Sequence, residues 1–348
     1  LMTTTVDGER FFLLDHTPKL PPATLAVRPL VFAVDTSASV GDAQLTRVKR
    51  VVAEIAAAHP APHVVVYGDL DTVTCSDNDG GACLGHVKAG GASDLARLLS
   101  EAAGRARAYG KPATILLMSD GTPTLGPLDA GVIATRASRG AGSDVTIHTV
   151  GVGLENDYGL LDAVASAGGG RRERLPANRT VAEVSTLLAA MLRTPVLRDV
   201  QISVKSGKVQ GLVPHLPMNL APGEPLAVLG RIEEGPVTLE LAATYAGQPV
   251  RQTLHVAARG RSHEVVRNFW ARGVLETMEN IGAPSDAIVK TSLHYGVMSR
   301  HTSFLVLENE AAYVKHGVER RKVNRSDKSL ADLVTKGGRN TPPGARAK

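Results

Sequence analysis

From residue 29 to about residue 193, short apolar runs alternate with stretches whose apolar residues recur at helical spacing. Leu30-Val-Phe-Ala-Val34, His63–Tyr67, Ala113–Ser119 and Val145–Val152 are continuous runs of strand length, the pattern of strands covered on both faces. Leu45, Val48, Val52 and Ile55 form an apolar stripe that stops near His59-Pro60. The spacing predicts further helices over Ser93–Tyr109, Leu128–Arg139 and Tyr158–Ala167. Thr180-Val-Ala-Glu183 has the form of a capping box and opens a last helix to about Arg193. Strands alternating with helices of this length predict an α/β fold, a doubly wound and mostly parallel sheet flanked by helices.

After Pro195 the period changes. Val200–Val204, Pro225–Ile232, Val237–Tyr245 and Val250–Ala257 read as strands separated by Gly and Pro turns, with no helix between them. That is the pattern of an antiparallel, β-rich module. Helices are expected over Ser262–Ile281 and Ser285–Ser299, a strand over Thr302–Leu307, and a helix from Glu308 to about Arg321. Arg10-Phe-Phe-Leu-Leu14 is strand-like too, and pairing it into the later module would make the α/β unit an insertion. The expected organisation is an N-terminal strand segment (1–28), an α/β domain (29–194), a β-rich module (195–260), C-terminal helices and a strand (261–325), and a disordered basic tail (326–348).

Composition changes this picture in two ways. Aromatic residues make up only 3% of the 348, so the cores must be built from Ala, Val and Leu. The net charge of +5 is misleading, because residues 315–348 hold ten Lys or Arg against three Asp or Glu. The tail therefore carries +7 and everything before it about −2, so no nucleic-acid partner is expected of the folded body. No run of about 18 apolar residues exists to cross a membrane. No signal-peptide pattern is visible, and the opening on Leu1 reads as a fragment, so the compartment stays open. Cys75 and Cys83 fit either a short disulfide loop or two reduced thiols.

The candidate chemistry begins at Asp35-Thr-Ser37-Ala-Ser39, directly after the first buried strand. Open α/β sheets bind ligands at the carboxyl ends of their strands. One carboxylate and two hydroxyls are hard oxygen donors of the kind Mg²⁺ or Mn²⁺ prefers, with Ca²⁺ also compatible. Ser93, in the loop opening the second helix, and Asp120, ending the third strand, are placed to add two more oxygens. Asp35, Ser37, Ser39, Ser93 and Asp120 would make an oxygen-only site with room for a partner's carboxylate. Asp94 is expected to serve the first turn of its helix, and Asp77-Asn-Asp79-Gly lacks the downstream Glu of a calcium loop. The eleven histidines show no zinc-ligand spacing, and His148 reads as a core residue. Asn178-Arg-Thr180 and Asn324-Arg-Ser326 fit the glycosylation sequon. No phosphate-binding Gly-Lys loop, dinucleotide fingerprint or nucleophile elbow is present, and Ser37 has no basic neighbour to activate it.

The Asp35–Ser39 segment resembles the Asp-x-Ser-x-Ser metal-ion-dependent adhesion site (MIDAS) of the von Willebrand factor type A (VWA) family. Ser93 falls where that family usually places Thr, and Asp120-Gly121 resembles its later Asp-Gly. Ser93 keeps the hydroxyl but lacks the methyl that stiffens Thr, and Ala38 stands where Gly is commoner. Thr194–Val200 and Ser292–Glu308 resemble the regions after the A domain in inter-alpha-trypsin inhibitor heavy-chain-like proteins. In that family a VIT domain precedes the A domain, and only its edge, near Phe11–Leu14, remains here. The resemblance implies metal binding by the five residues, a protein ligand presenting Asp or Glu, an extracellular, periplasmic or cell-surface location, and no catalysis. Two other readings stay open: a structural or assembly subunit, for example beside an AAA+ ATPase, and, more weakly, a metal-dependent hydrolase.

Overall fold

Two N-terminal strands, β1 (Met2–Val6) and β2 (Glu9–His16), come before the α/β unit. That unit runs β3 (Leu30–Asp35), α1 (Asp42–Ala58), β4 (His63–Gly68), β5 (Thr72–Thr74), α2 (Leu95–Ala108), β6 (Ala113–Ser119), α3 (Ala130–Ala141), β7 (Val145–Gly151), α4 (Tyr158–Ala167), β8 (Gly169–Arg174) and α5 (Val181–Arg193). The structure is a computed structural model and describes residues 1–303 apart from 154, 177, 215–217, 257–260 and 263–264. The sheet order is β5-β4-β3-β6-β7-β8, parallel throughout except for the β4–β5 pair.

Alternation along each strand decides what it holds together. Leu30, Phe32 and Val34 point into one core with α1 and α5, while Val31 and Ala33 point into the other with α2, α3 and α4. Leu116 and Met118 of β6 join the first core, and Ile115 and Leu117 the second. All six residues of β3 are buried, which is why its sequence shows no polar alternation. The order of strands reverses at β3, with β4 on one side and β6 on the other. The carboxyl ends of β3 and β6 therefore flank the switch point.

Within the α/β unit, two helix starts differ from expectation. The helix expected from Ser93 begins at Leu95, because the Asp94 carboxylate accepts a hydrogen bond from Arg97 N at 3.0 Å and caps it. The one expected from Leu128 begins at Ala130, capped in the same way by Asp129. The capping box at Thr180 and Glu183 opens α5 as the sequence indicates.

The remaining strands are β9 (Leu197–Val213), β10 (Met218–Leu220), β11 (Leu226–Tyr245), β12 (Gln248–Val256) and β13 (Arg261–Ser262). They form a second sheet of order β10-β9-β11-β2-β1-β13, with β12 also paired to β11. The segments expected as separate strands at Pro225–Ile232 and Val237–Tyr245 are one strand, since register irregularities absorb the Gly235-Pro236 step without ending the ladder. Arg10–Leu14 lies in β2, which pairs antiparallel with β11. Helices α6 (Val265–Asn280) and α7 (Ser285–Tyr295) follow, shorter than expected at their ends. Trp270 of α6 packs on Phe11 and donates to the Gly211 carbonyl at 2.7 Å. Leu1–Ser299 form one compact unit. The strand expected at Thr302–Leu307 (from Phe304 onward), the helix from Glu308, the basic tail and the Asn324 sequon lie outside the described residues. No described helix is long and apolar enough to cross a membrane.

Candidate metal centre

Asp35 is the last residue of β3 and Ser119 the last of β6, so two neighbouring strands deliver polar side chains to one edge. Ser93 reaches that edge from the loop before α2. Backbone bonds hold the loop in place: Gly90 N to Thr36 O at 2.9 Å and Ala38 N to Gly91 O at 3.2 Å. Beyond Asp120 the chain turns sharply at Gly121, with φ +77° and the Asp157 carbonyl 2.7 Å from where a Cβ would sit. Only glycine fits there without strain.

The five expected oxygen donors share one hydrogen-bond network. Ser93 Oγ donates to Asp35 Oδ2 at 3.2 Å, and Ser37 N donates to Asp35 Oδ1 at 3.0 Å. Ser37 Oγ and Ser39 Oγ lie 3.2 Å apart. Thr122 Oγ1 donates to Asp120 Oδ1 at 2.7 Å and lies 3.5 Å from Ser39 Oγ, which ties Asp120 to the same group. The sequence reading missed two residues here, Ser119 and Thr122. Ser119 Oγ donates to Asp35 Oδ2 at 2.7 Å and accepts from Gly121 N at 2.9 Å, fixing the carboxylate plane. Adjacency could have found both: Ser119 precedes Asp120, and Thr122 sits two residues after it, where its N–H closes an Asx turn on Oδ1 at 2.9 Å.

Asp35 and Asp120 are each only 1% exposed. Burial pushes the Asp35 carboxyl above the usual carboxylate range, opposed by the bonds from Ser119 and Ser37, and the nearby Asp120 charge adds to the rise. Neither carboxylate has a Lys, Arg or His partner among the described residues. Two buried carboxylates with no cationic side chain leave charge that a divalent cation would neutralise, and hydroxyl and carboxylate oxygens suit a hard ion. The donor chemistry therefore fits Mg²⁺ or Mn²⁺. Ser39, Asp120, Thr122 and Glu155 line an open depression of about 570 Å³.

Other candidates resolve differently. Cys75 and Cys83 form a disulfide. With Asp79 they are the one cluster of three His, Cys, Asp or Glu ligand atoms among the described residues, yet the thiols are consumed by the bond. The Asp79 carboxylate instead accepts from Gly81 N at 2.7 Å and Cys83 N at 3.1 Å, holding the loop tip. His148 is buried and accepts from Arg171 N at 3.2 Å, so burial pushes its pKa down to about 4. In the Asn178 sequon, the Thr180 hydroxyl is engaged in the α5 cap.

No protein-family model matches the chain. It is similar to the pig (Sus scrofa) inter-alpha-trypsin inhibitor heavy chain H2, 24% identical over 220 residues, covering 57% of this chain and 23% of that protein. The human heavy chain H6 is 23% identical over 222 residues, covering 64% of this chain and 16% of that protein. The chain thus spans less than a quarter of the length of these relatives. Among solved structures, a von Willebrand factor type A protein from Catenulispora acidiphila is 15% identical and covers 82% of this chain and 87% of its own, with a TM-score of 0.45.

Proposed function

We propose that this chain, a von Willebrand factor type A domain protein, is a metal-ion-dependent protein-binding module. Asp35, Ser37, Ser39, Ser93 and Asp120 would hold one Mg²⁺ (Mn²⁺ or Ca²⁺ serving in its place), directly or through water. The bound cation supplies a positive, oxygen-seeking centre that an Asp or Glu of a partner protein can complete. The carrying observation is the single network joining donors from three separate segments around two buried, uncompensated carboxylates.

The protein's own residues set the site in advance. Ser119 orients Asp35, and Thr122 holds Asp120 and reaches toward Ser39. Binding rather than catalysis is the better account, because no basic side chain is hydrogen-bonded to Ser37, Ser39, Ser93 or Ser119 among the described residues.

Isothermal titration of Mg²⁺ or Mn²⁺ tests the reading. One site is expected in the parent protein and none in Asp35→Ala. Ser119→Ala should retain the site with affinity lowered about tenfold or more, since it removes the bonds that orient Asp35 and hold Gly121 N but none of the five proposed ligands. No metal binding by the parent at millimolar concentration would overturn the proposal. Capture of a partner that persists in EDTA and in Asp35→Ala would favour the assembly-subunit alternative.

A further inference from the structure

The loop after Asp120 leads away from the metal centre into a groove between α2 and α3. Thr124 N and Leu125 N both donate to the Ser93 carbonyl, at 2.9 and 3.0 Å, and the Thr124 hydroxyl accepts from Ser93 N at 2.8 Å. Asp94, the next residue, lines the head of the groove, and Arg136 and Arg139 of α3 line it farther on, around about 780 Å³ of open space. The groove is thus continuous with the edge where Ser93 sits.

Exposed apolar residues adjoin its lining: Leu125 and Leu128 border the lining residues Gly126 and Pro127 in the chain, the Leu70 carbonyl accepts from the lining residue Arg97 at 3.1 Å, and Val132 stands one helical turn before Arg136. Leu70, Leu125, Leu128 and Val132 are each more than 40% exposed. Leu128 directly precedes the α3 cap, where an apolar residue commonly packs on the helix as a staple. At 61% exposure it does not, while Ile133, the residue it would meet, is fully buried. Val132, Arg136 and Arg139 then follow at helical spacing on the exposed face of α3.

The charges in the groove are unequal in what remains free. Asp94 is engaged as the α2 cap, Glu101 contacts Thr74 and Arg105, and Arg97 pairs with Asp71. Arg136 and Arg139 have no ion-pair partner among the described residues. Along the chain from Asp120, the exposed apolar residues Leu125, Leu128 and Val132 therefore come before the two arginines, Arg136 and Arg139.

We propose that this groove docks an extended segment of the partner whose metal-completing carboxylate is followed by apolar residues and then by acidic ones. The inference rests on the metal-dependent reading of the site. The distance fits: Ala130 to Arg139 spans roughly 14 Å of helix, which an extended chain covers in about four residues.

Two fluorescein-labelled peptides test it by polarisation in Mg²⁺: Asp-Leu-Leu-Gly-Ser-Glu-Glu-Glu, and the same peptide with Gln replacing each Glu. The acidic-tailed peptide should bind the parent protein roughly threefold to tenfold more tightly. Arg136→Glu combined with Arg139→Glu should erase that preference and leave the Gln peptide unchanged. Leu128→Ser, at an exposed position, should weaken both peptides. Equal binding of the two by the parent, binding of neither, or a preference that survives the double reversal overturns the groove proposal. A tail preference that persists in EDTA and in Asp35→Ala leaves the groove standing and removes the metal reading.

Discussion

The two sheets of this chain use their strand ends in opposite ways. In the α/β sheet, β3 and β6 are parallel and stop at a common edge, so Asp35 and Ser119, 84 residues apart in sequence, meet at 2.7 Å. In the β-rich sheet, β9 and β11 run antiparallel for 17 and 20 residues. Its charged residues pair across the ladder instead, with Lys205 and Arg251 both on Glu240 at 2.9 and 3.2 Å. Parallel strands need a crossover after each strand, so their carboxyl ends and loops accumulate on one side. Antiparallel strands alternate their ends and spread polar groups along exposed faces. Convergence of distant oxygens is therefore a product of topology more than of local sequence.

The comparison can be attacked first at its packing. Phe32 is fully buried in the α/β core, and Phe32→Ala should cost about 3 to 5 kcal/mol in urea denaturation. Val204 of β9 is 37% exposed, and Val204→Ala should stay within about 0.5 kcal/mol. Similar costs at the two positions would mean that the β-rich sheet is as tightly determined as the parallel one.

A second, smaller effect is pH. His148 in the parallel sheet is held neutral, with a pKa near 4 against an ordinary value of 6.5. At pH between those values the unfolded chain binds a proton that the folded chain refuses. Its contribution is intact above about 6.5, declines as pH falls, and levels off below about 4. The loss between pH 7.5 and pH 5 should be about 2 kcal/mol, read by denaturation at each pH. Unchanged stability across that range would show that the buried imidazole finds a proton partner in the fold.

The smallest effect is expected at the Glu240 cluster. Glu240→Gln should leave the thermal midpoint and the Mg²⁺ titration nearly unchanged from the parent, because the Lys205 and Arg251 ends of its ion pairs are exposed to solvent and such pairs contribute little. A clear drop would make the ladder charges part of what holds β9 to β11.

Much of this fold was readable along the chain. Buried parallel strands are continuous apolar runs, and Leu30–Val34, Ala113–Ser119 and Val145–Val152 stand out for that reason. Helix starts were less readable, because Asp94 and Asp129 look like ordinary first-turn acids until their carboxylates are seen capping N–H groups. The single long β11 was hidden by Gly235-Pro236, which resembles a turn and is here an irregularity inside a ladder.

The candidate site divides along the same line. The sequence alone determined which oxygens were available, since Asp35, Ser37 and Ser39 alternate at a strand end and Asp120 follows another strand. Only the tertiary structure decided that these oxygens meet, that Ser119 and Thr122 orient them, and that both carboxylates are buried with no cationic side chain bonded to them among the described residues. It also placed Cys75 and Cys83 in a bond that the sequence left open, and β2 beside β11. The physical reason is range. Propensity, periodicity and capping act within a few residues, whereas burial and convergence are fixed by which strands become neighbours.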